Sequence, residues 1–169
     1  MLLAEALAAR KDAIAEADSL RDRLAAAVLR YEDQAASVEE PSMLVDSLQR
    51  ALDRFEALTV RIHRTNNGTR LAFDGRDFSI MEAIAFRERL TLEAKARRTA
   101  VEALDGAIGV GRAGRTRSWL GTRRSKEDVR ELPTVDVRAE RQAADTLSET
   151  VRRLDLALQQ RNWTTELLD

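Results

Sequence analysis

Apolar residues recur three and four positions apart along most of the chain, the spacing that places them on one side of an α-helix. A first helix is predicted over residues 2–33 and a second over residues 42–65, joined by a short link that contains Pro41. Two long helices with a short link favour an antiparallel hairpin. The predicted apolar seams are Leu3, Leu7, Arg10, Ile14, Ala17, Arg21, Leu24, Val28 and Tyr31 in the first helix, and Leu44, Leu48, Ala51, Phe55, Leu58 and Ile62 in the second.

The segment after the second helix predicts a small β-ribbon. The Asn-Asn-Gly of residues 66–68 should end the helix, because Asn and Gly tolerate the left-handed backbone of a helix end. The Asp-Gly pair of residues 74–75 stands between two short apolar-containing runs, which is typical of a tight hairpin. Ser79 and Glu82 have the spacing of a capping box, so a third helix should begin there.

The remaining apolar pattern predicts a third helix to about residue 108 and a fourth over residues 136–161 or beyond. The predicted seams are Ala83, Arg87, Leu90, Ala94, Arg97, Val101, Leu104 and Ile108 in the third helix, and Val137, Glu140, Ala144, Leu147, Val151, Leu154 and Leu158 in the fourth. The predicted fold is all-α: two long antiparallel helical hairpins forming an elongated four-helix bundle, with a small β-ribbon connection, in a single domain over residues 1–169.

The composition agrees with long helices and excludes several kinds of site. Charged residues make up 34% of the chain and aromatic residues 4%, as in helical bundles and coiled coils. There is no cysteine and one histidine, His63, which excludes thiolate and multi-histidine metal sites. We identify no nucleophile–base arrangement, expect His63 at the surface, and predict no catalytic residue, metal or cofactor. This favours a protein that is not an enzyme.

The distribution of charge and hydropathy predicts a cytoplasmic protein. No apolar run approaches the ~20 residues that cross a bilayer, and the first residues lack the basic region of a signal peptide. The net charge is −1, so attraction to a nucleic acid must be local, and no membrane partner is expected.

Residues 109–134 interrupt the helical pattern and are predicted to form a long loop. Residues 112–126 contain six cations and no acid, and could neutralise phosphates while a tryptophan stacks on a base. Alternatively, the loop neutralises acidic helices of its own or a neighbouring subunit. The Gly-x-Gly-x-x-Gly string of residues 109–114 follows a helix and no strand, which argues against a dinucleotide site. The candidate nucleic-acid-binding residues are Arg112, Arg115, Arg117, Trp119, Arg123, Arg124 and Lys126.

Four arginines occupy seam positions: Arg10, Arg21, Arg87 and Arg97. A buried arginine without a partner is costly, so these side chains should reach solvent or pair with acids such as Glu140 across the bundle. Alternatively, they line a cavity between subunits that binds an anion, such as the phosphate of a small-molecule substrate.

Four stretches resemble one group of small bacterial proteins. They are residues 3–7 (Leu-Ala-Glu-Ala-Leu), residues 61–71 (beginning Arg-Ile-His-Arg-Thr-Asn), residues 134–137 (Thr-Val-Asp-Val) and residues 162–167 (Asn-Trp-Thr-Thr-Glu-Leu). The group is functionally uncharacterised, and some members carry the name septicolysin, which would imply a pore-forming cytolysin. The resemblance spans nearly the whole chain and implies a helical, oligomeric fold without a particular chemistry. Residues 109–124 depart from the group's pattern.

The sequence therefore predicts a non-catalytic, homo-oligomeric structural or interaction protein. Seams rich in alanine bury little apolar surface per residue, so packing of subunits against each other is expected to supply the rest. The alternatives are a nucleic-acid-binding protein that uses residues 112–126 and an enzyme with an anion-binding cavity between subunits.

Overall fold

The computed structural model describes residues 1–28, 39–113 and 134–169, and of residues 106–113 the helical backbone. It confirms four helices and a β-ribbon. The elements, in chain order, are α1 Leu3–Ala27, α2 Pro41–Gly68, β1 Arg70–Phe73, β2 Arg76–Ser79, α3 Ile80–Ala113 and α4 Val137–Thr164.

The chain divides into two compact units. The first contains residues 1–83 and 156–169, and the second contains residues 84–155. The single domain that the chain length predicts stays a prediction.

In the first unit, α1 and α2 pack as an antiparallel hairpin. Glu16 pairs with Arg54, and Arg23 pairs with Glu39. Later residues of α1 therefore lie beside earlier residues of the α2 segment, as in an antiparallel pair. The buried contact consists of Ala17, Leu20, Leu44 and Ala51, with Leu24, Ala27 and Leu48 packed against it. The predicted seam of α2 is confirmed by the burial of Leu44, Ala51 and Ile62.

The predicted seam of α1 is partly wrong. The buried positions include Ala13 and Leu20, whereas Ile14 is 43% exposed and Val28 is 58% exposed. The sequence of α1 contains two overlapping heptad patterns that share residues 3, 10, 17 and 24. One pattern adds residues 6, 13, 20 and 27, and the other adds residues 7, 14, 21 and 28. The hairpin buries the pattern that contains Leu20, which leaves the neighbouring Arg21 in solvent.

The β-ribbon has the predicted turn. Leu71 pairs with Phe78 in antiparallel register, and both side chains are buried. Asp74 and Gly75 have φ angles of 47° and 74°, the left-handed pair that a two-residue hairpin turn requires.

Hydrogen bonds at the starts of α3 and α4 explain where these helices begin. The Ser79 hydroxyl accepts the Glu82 N–H at 3.1 Å, while the Glu82 carboxylate accepts the Ser79 N–H at 2.6 Å, which confirms the predicted capping box. The Asp136 carboxylate accepts the N–H groups of Arg138 and Ala139 at the start of α4.

Two predicted helix ends are too early. Helix α2 continues through residues 66–68 to Gly68, and Asn66 is buried there instead of ending the helix. Helix α3 continues through Gly109 and Gly111 to Ala113. Both glycines are therefore helical, in agreement with rejecting a dinucleotide-binding loop; residues 109–113 of the predicted loop are helix, and most of the rest lies outside the described residues.

In the second unit, α3 and α4 run antiparallel, because Arg87 pairs with Asp155 and Arg97 pairs with Glu140. Their predicted seams are confirmed within the described residues. Leu90, Ala94, Val101, Ala144 and Leu154 are buried.

Candidate functional site

The seam arginines of the second unit are half-buried and paired with acids. The guanidinium of Arg87 donates to Asp155 at 2.9 Å. Arg97 donates to Glu140 at 2.6 Å and to Glu93 at 3.2 Å. The predicted contact of a seam arginine with Glu140 is thus present, and it joins α3 to α4.

Arg97 has the strongest set of acidic neighbours among these arginines. Its hydrogen bond to Glu140, followed by the one to Glu93, raises the pKa of the guanidinium above its ordinary value. Its Nε is buried without a hydrogen-bond partner. The two acids therefore occupy the terminal nitrogens that an external anion would need.

The seam arginines of α1 have different surroundings. Arg21 is exposed and pairs with Asp18 at 2.9 Å and with Asp22 at 3.1 Å; the hydrogen bond to Asp22 is the main cause of a raised guanidinium pKa. Arg10 is half-buried, and its Nε has no hydrogen-bond partner. Residues 10 and 21 are about 16 Å apart along α1, so they do not form one cluster on that helix.

A polar cluster that was not predicted from the sequence lies in the first unit, where the chain's last residues meet the start of α1 and the end of α2. The N–H of Leu3 donates to the carbonyl of Thr165 at 2.8 Å, and the N–H of Leu167 donates to the carbonyl of Met1 at 3.0 Å. Arg61 donates to the carbonyl of Leu168 and to Asp169. No local signal indicates these contacts, because the partners are more than 100 positions apart.

Two further groups of the first unit carry buried atoms without hydrogen-bond partners. They are Nε of Arg161 and Oγ1 of Thr165. Together with Arg10, they show where the unit buries polar atoms at a cost in stability. The sequence offered one signal for this group: Arg161 lies three positions after Leu158, the last residue of the predicted α4 seam, and so falls on the same side of the helix.

The candidate nucleic-acid-binding residues fall outside the described side chains. Arg112 lies in the last turn of α3, where the backbone alone is described, and the other six lie within residues 114–133, outside the described ranges. The structure therefore gives no geometry for this candidate site.

Other candidate chemistry is limited in the part of the chain that the structure describes. His63 is exposed, as predicted. Within residues 1–28, 39–113 and 134–169, no group of three His, Asp or Glu side chains could hold a metal ion. No described helix is long and apolar enough to cross a membrane.

Large apolar side chains remain exposed on all four helices. Leu156 is 66% exposed, Trp163 63% and Leu92 62%. On α1 and α2, Ile14, Val28, Val45 and Leu52 are between 43% and 58% exposed. These side chains are the candidate contact residues for a partner.

The fold agrees with that of a protein of known structure. The chain is similar to a functionally unknown conserved protein from Corynebacterium diphtheriae, with 26% identity over 99% of both chains and a TM-score of 0.77. No curated protein matches the chain.

Residues 10–167 match a family of unknown function, DUF6847. This match includes most of both units and residues of all four helices. The chain therefore belongs to the DUF6847 family.

Proposed function

We propose that this protein is a non-catalytic, homo-oligomeric structural or interaction protein. One observation carries the proposal: each helix of the α1–α2 hairpin contributes two exposed apolar residues whose separation is a multiple of seven positions. Ile14 and Val28 lie fourteen positions apart, and Val45 and Leu52 lie seven positions apart. Positions separated by multiples of seven fall on nearly the same side of a helix, so the two side chains of each pair share one side of the hairpin.

The charges of the seams support an interaction role over a catalytic one. Arg21, Arg87 and Arg97 each have a carboxylate partner within the chain. Such pairing fixes helix register and neutralises the guanidinium groups, whereas an anion-binding active site needs free donors. Arg10 is the seam arginine for which no described carboxylate lies within ion-pair distance, and a single arginine makes a weak anion site.

Light scattering coupled to size-exclusion chromatography tests the proposal. The expected result is a defined particle whose mass is a multiple of 19.0 kDa, at both low and high salt. Salt should change the mass little, because apolar contacts are not screened by ions. A fully helical monomer at micromolar concentration would overturn the proposal.

A second candidate function is nucleic-acid binding by residues 112–126. Six cations and no acid in this segment favour it, and the segment begins in the last turn of α3 and precedes α4 in the chain. Anisotropy of a labelled single-stranded oligonucleotide should then show affinity that falls steeply with salt. Replacing Arg115, Arg117, Arg123 and Arg124 by Ala should abolish binding with helicity unchanged; persistent binding would exclude this segment.

A further inference from the structure

We infer that one side of the α1–α2 hairpin is the surface through which a second copy of this chain binds. The inference rests on the homo-oligomer proposed above and names its interface. We call this side the open face. Its apolar residues are Leu7 and Ile14 of α1, Val28 directly after α1, and Val45 and Leu52 of α2; Leu7 is half-buried and the other four are exposed.

Each apolar residue of the open face directly follows a buried or half-buried residue of the first unit. Ile14 follows Ala13, and Leu52 follows Ala51, both of which are buried. Successive residues of an α-helix are rotated by about 100°, so each exposed side chain is displaced from the buried contact by that angle in the same rotational sense. Because α1 and α2 run antiparallel, the same rotational sense leads to the same side of the hairpin.

The opposite side confirms this geometry independently. Glu16 directly precedes the buried Ala17, and Arg54 directly precedes Phe55 of the α2 seam, so both are rotated in the other sense. These two side chains form an ion pair. Residues that precede the seam on the two helices therefore meet on one side, and residues that follow it share the other.

The register of the hairpin places the central residues of the open face at the same level. The Glu16–Arg54 and Arg23–Glu39 ion pairs show which residues of the two segments lie opposite each other. Counted from these two pairs in opposite directions along the helices, Ile14 lies level with a position between residues 48 and 56 of α2, the stretch that contains Leu52. At 43% and 44% exposure, these two side chains lie at the centre of the open face, with its other apolar residues further along the two helices.

The charges of the open face fit a second copy better than a charged partner. Four charged residues directly follow seam positions on this side: Lys11, Asp18, Arg21 and Glu56. They comprise two cations and two anions, and Asp18 already pairs with Arg21 at 2.9 Å. A balanced face can meet its own image with cations opposite anions, whereas a nucleic acid or an acidic peptide would favour a surplus of positive charge.

The area of the open face is sufficient for a symmetric dimer. Residues 7–25 of α1 extend about 27 Å, and two packed helices are about 20 Å wide. Two copies in face-to-face contact would bury roughly 1,100 Å² in total, above the ~1,000 Å² that a specific interface needs. A twofold arrangement is the expected one, because it uses the same patch on both subunits.

Replacing Ile14 and Leu52 by Glu in one variant, in the full-length chain, tests the interface. Both side chains are exposed, so the subunit should keep its helicity. Self-association should weaken roughly a hundredfold, since the contact would bury unpaired carboxylates. Met43→Glu with Val60→Glu is the matched control: both residues are exposed on α2, and neither follows a seam position. The control variant should keep the wild-type mass in light scattering.

The outcomes separate this inference from the proposed function. A monomeric wild-type protein, whose open face is free or covered by its own chain, would overturn both. A wild-type oligomer that both variants leave intact would overturn the interface and leave the homo-oligomer standing. Loss of the oligomer in both variants would also overturn the interface, because the effect would not depend on the open face.

Cross-linking of single cysteines tests the same contact without disrupting it, and it decides the case if the double Glu variant fails to fold. The chain has no cysteine, so Leu52→Cys and the control Met43→Cys each introduce one thiol. A short bis-maleimide should convert Leu52→Cys to a covalent dimer and leave Met43→Cys monomeric on a denaturing gel. Equal cross-linking of the two variants, or none in either, would contradict the inference.

Discussion

The hydroxyl of Thr65 accepts a hydrogen bond from the backbone N–H of Leu168 at 2.9 Å and donates to the carbonyl of Arg61 at 2.8 Å. Thr65 is completely buried. One side chain in the last turns of α2 therefore holds residues that lie more than 100 positions later in the chain. This contact joins the last residues of the chain to α2 within the first unit.

Thr65→Val should destabilise the protein by about 1–3 kcal/mol, because the shape is kept while the N–H of Leu168 loses its partner in a partly buried place. Urea unfolding followed by circular dichroism measures the loss, and hydrogen exchange should accelerate at Leu168. Thr59→Val is the control. Thr59 makes the same type of bond to the carbonyl four residues earlier, and among the described residues its hydroxyl makes no hydrogen bond to another element, so its replacement should leave exchange at Leu168 unchanged.

Arg97→Met should destabilise the second unit more than Arg141→Met. Arg97 is half-buried and pairs with both Glu140 and Glu93, and its removal takes from these two carboxylates the cation that they share. The Arg141–Asp105 pair also joins α3 to α4 but is more exposed, so water screens it and its loss should cost little. Urea midpoints of the two variants give the comparison. Equal midpoints would show that burial of the Arg97 cluster contributes nothing.

Much of the fold could be predicted because its signals are local. The Asp74–Gly75 turn needs two left-handed residues, and the Ser79–Glu82 capping box needs two side chains three positions apart. The seams of α3 and α4, including Arg87 and Arg97, were also predicted correctly, since each helix has one dominant apolar stripe.

The errors arise where tertiary contacts choose between local alternatives. Helix α1 has two possible stripes, and the position of α2 decides that Leu20 is buried and Ile14 is not. Helix α2 continues past its Asn-Asn-Gly signal because Asn66 is buried in the unit instead of forming a helix end. The contacts of Thr65 and Arg61 with the last residues have no local signature, so the sequence could not reveal them.

The capping box of α3 should make stability depend on pH. The N–H and hydroxyl of Ser79, with Arg70 nearby, hold the pKa of Glu82 below its ordinary value. A carboxyl whose pKa is lower in the folded state stabilises the fold above its unfolded pKa of about 4.3. That stabilisation is lost as pH falls through the folded pKa.

Glu82→Gln removes this titration while keeping a hydrogen-bond acceptor. The wild type should therefore be more stable than the variant at neutral pH, and the difference should shrink as the pH falls below about 4. Urea unfolding across that range measures it, with Glu88→Gln, an exposed residue of the same helix, as the control. A difference that stays constant with pH would contradict the role of the charged form.

Arg10→Met should leave stability unchanged or raise it by up to ~1 kcal/mol, because methionine fills similar space without the unpartnered Nε. This is the opposite of the loss expected for Arg97→Met, although both arginines occupy seam positions. Differential scanning calorimetry of the two variants in a phosphate-free buffer compares them directly.

Adding inorganic phosphate to the same samples tests the anion-binding alternative for Arg10. A bound anion would stabilise the wild type as the phosphate concentration rises and would leave Arg10→Met unaffected. The expected result is parallel behaviour of the two proteins, since a single half-buried guanidinium provides too few donors to hold a phosphate. A phosphate-dependent rise in melting temperature that disappears in Arg10→Met would show instead that Arg10 binds an anion.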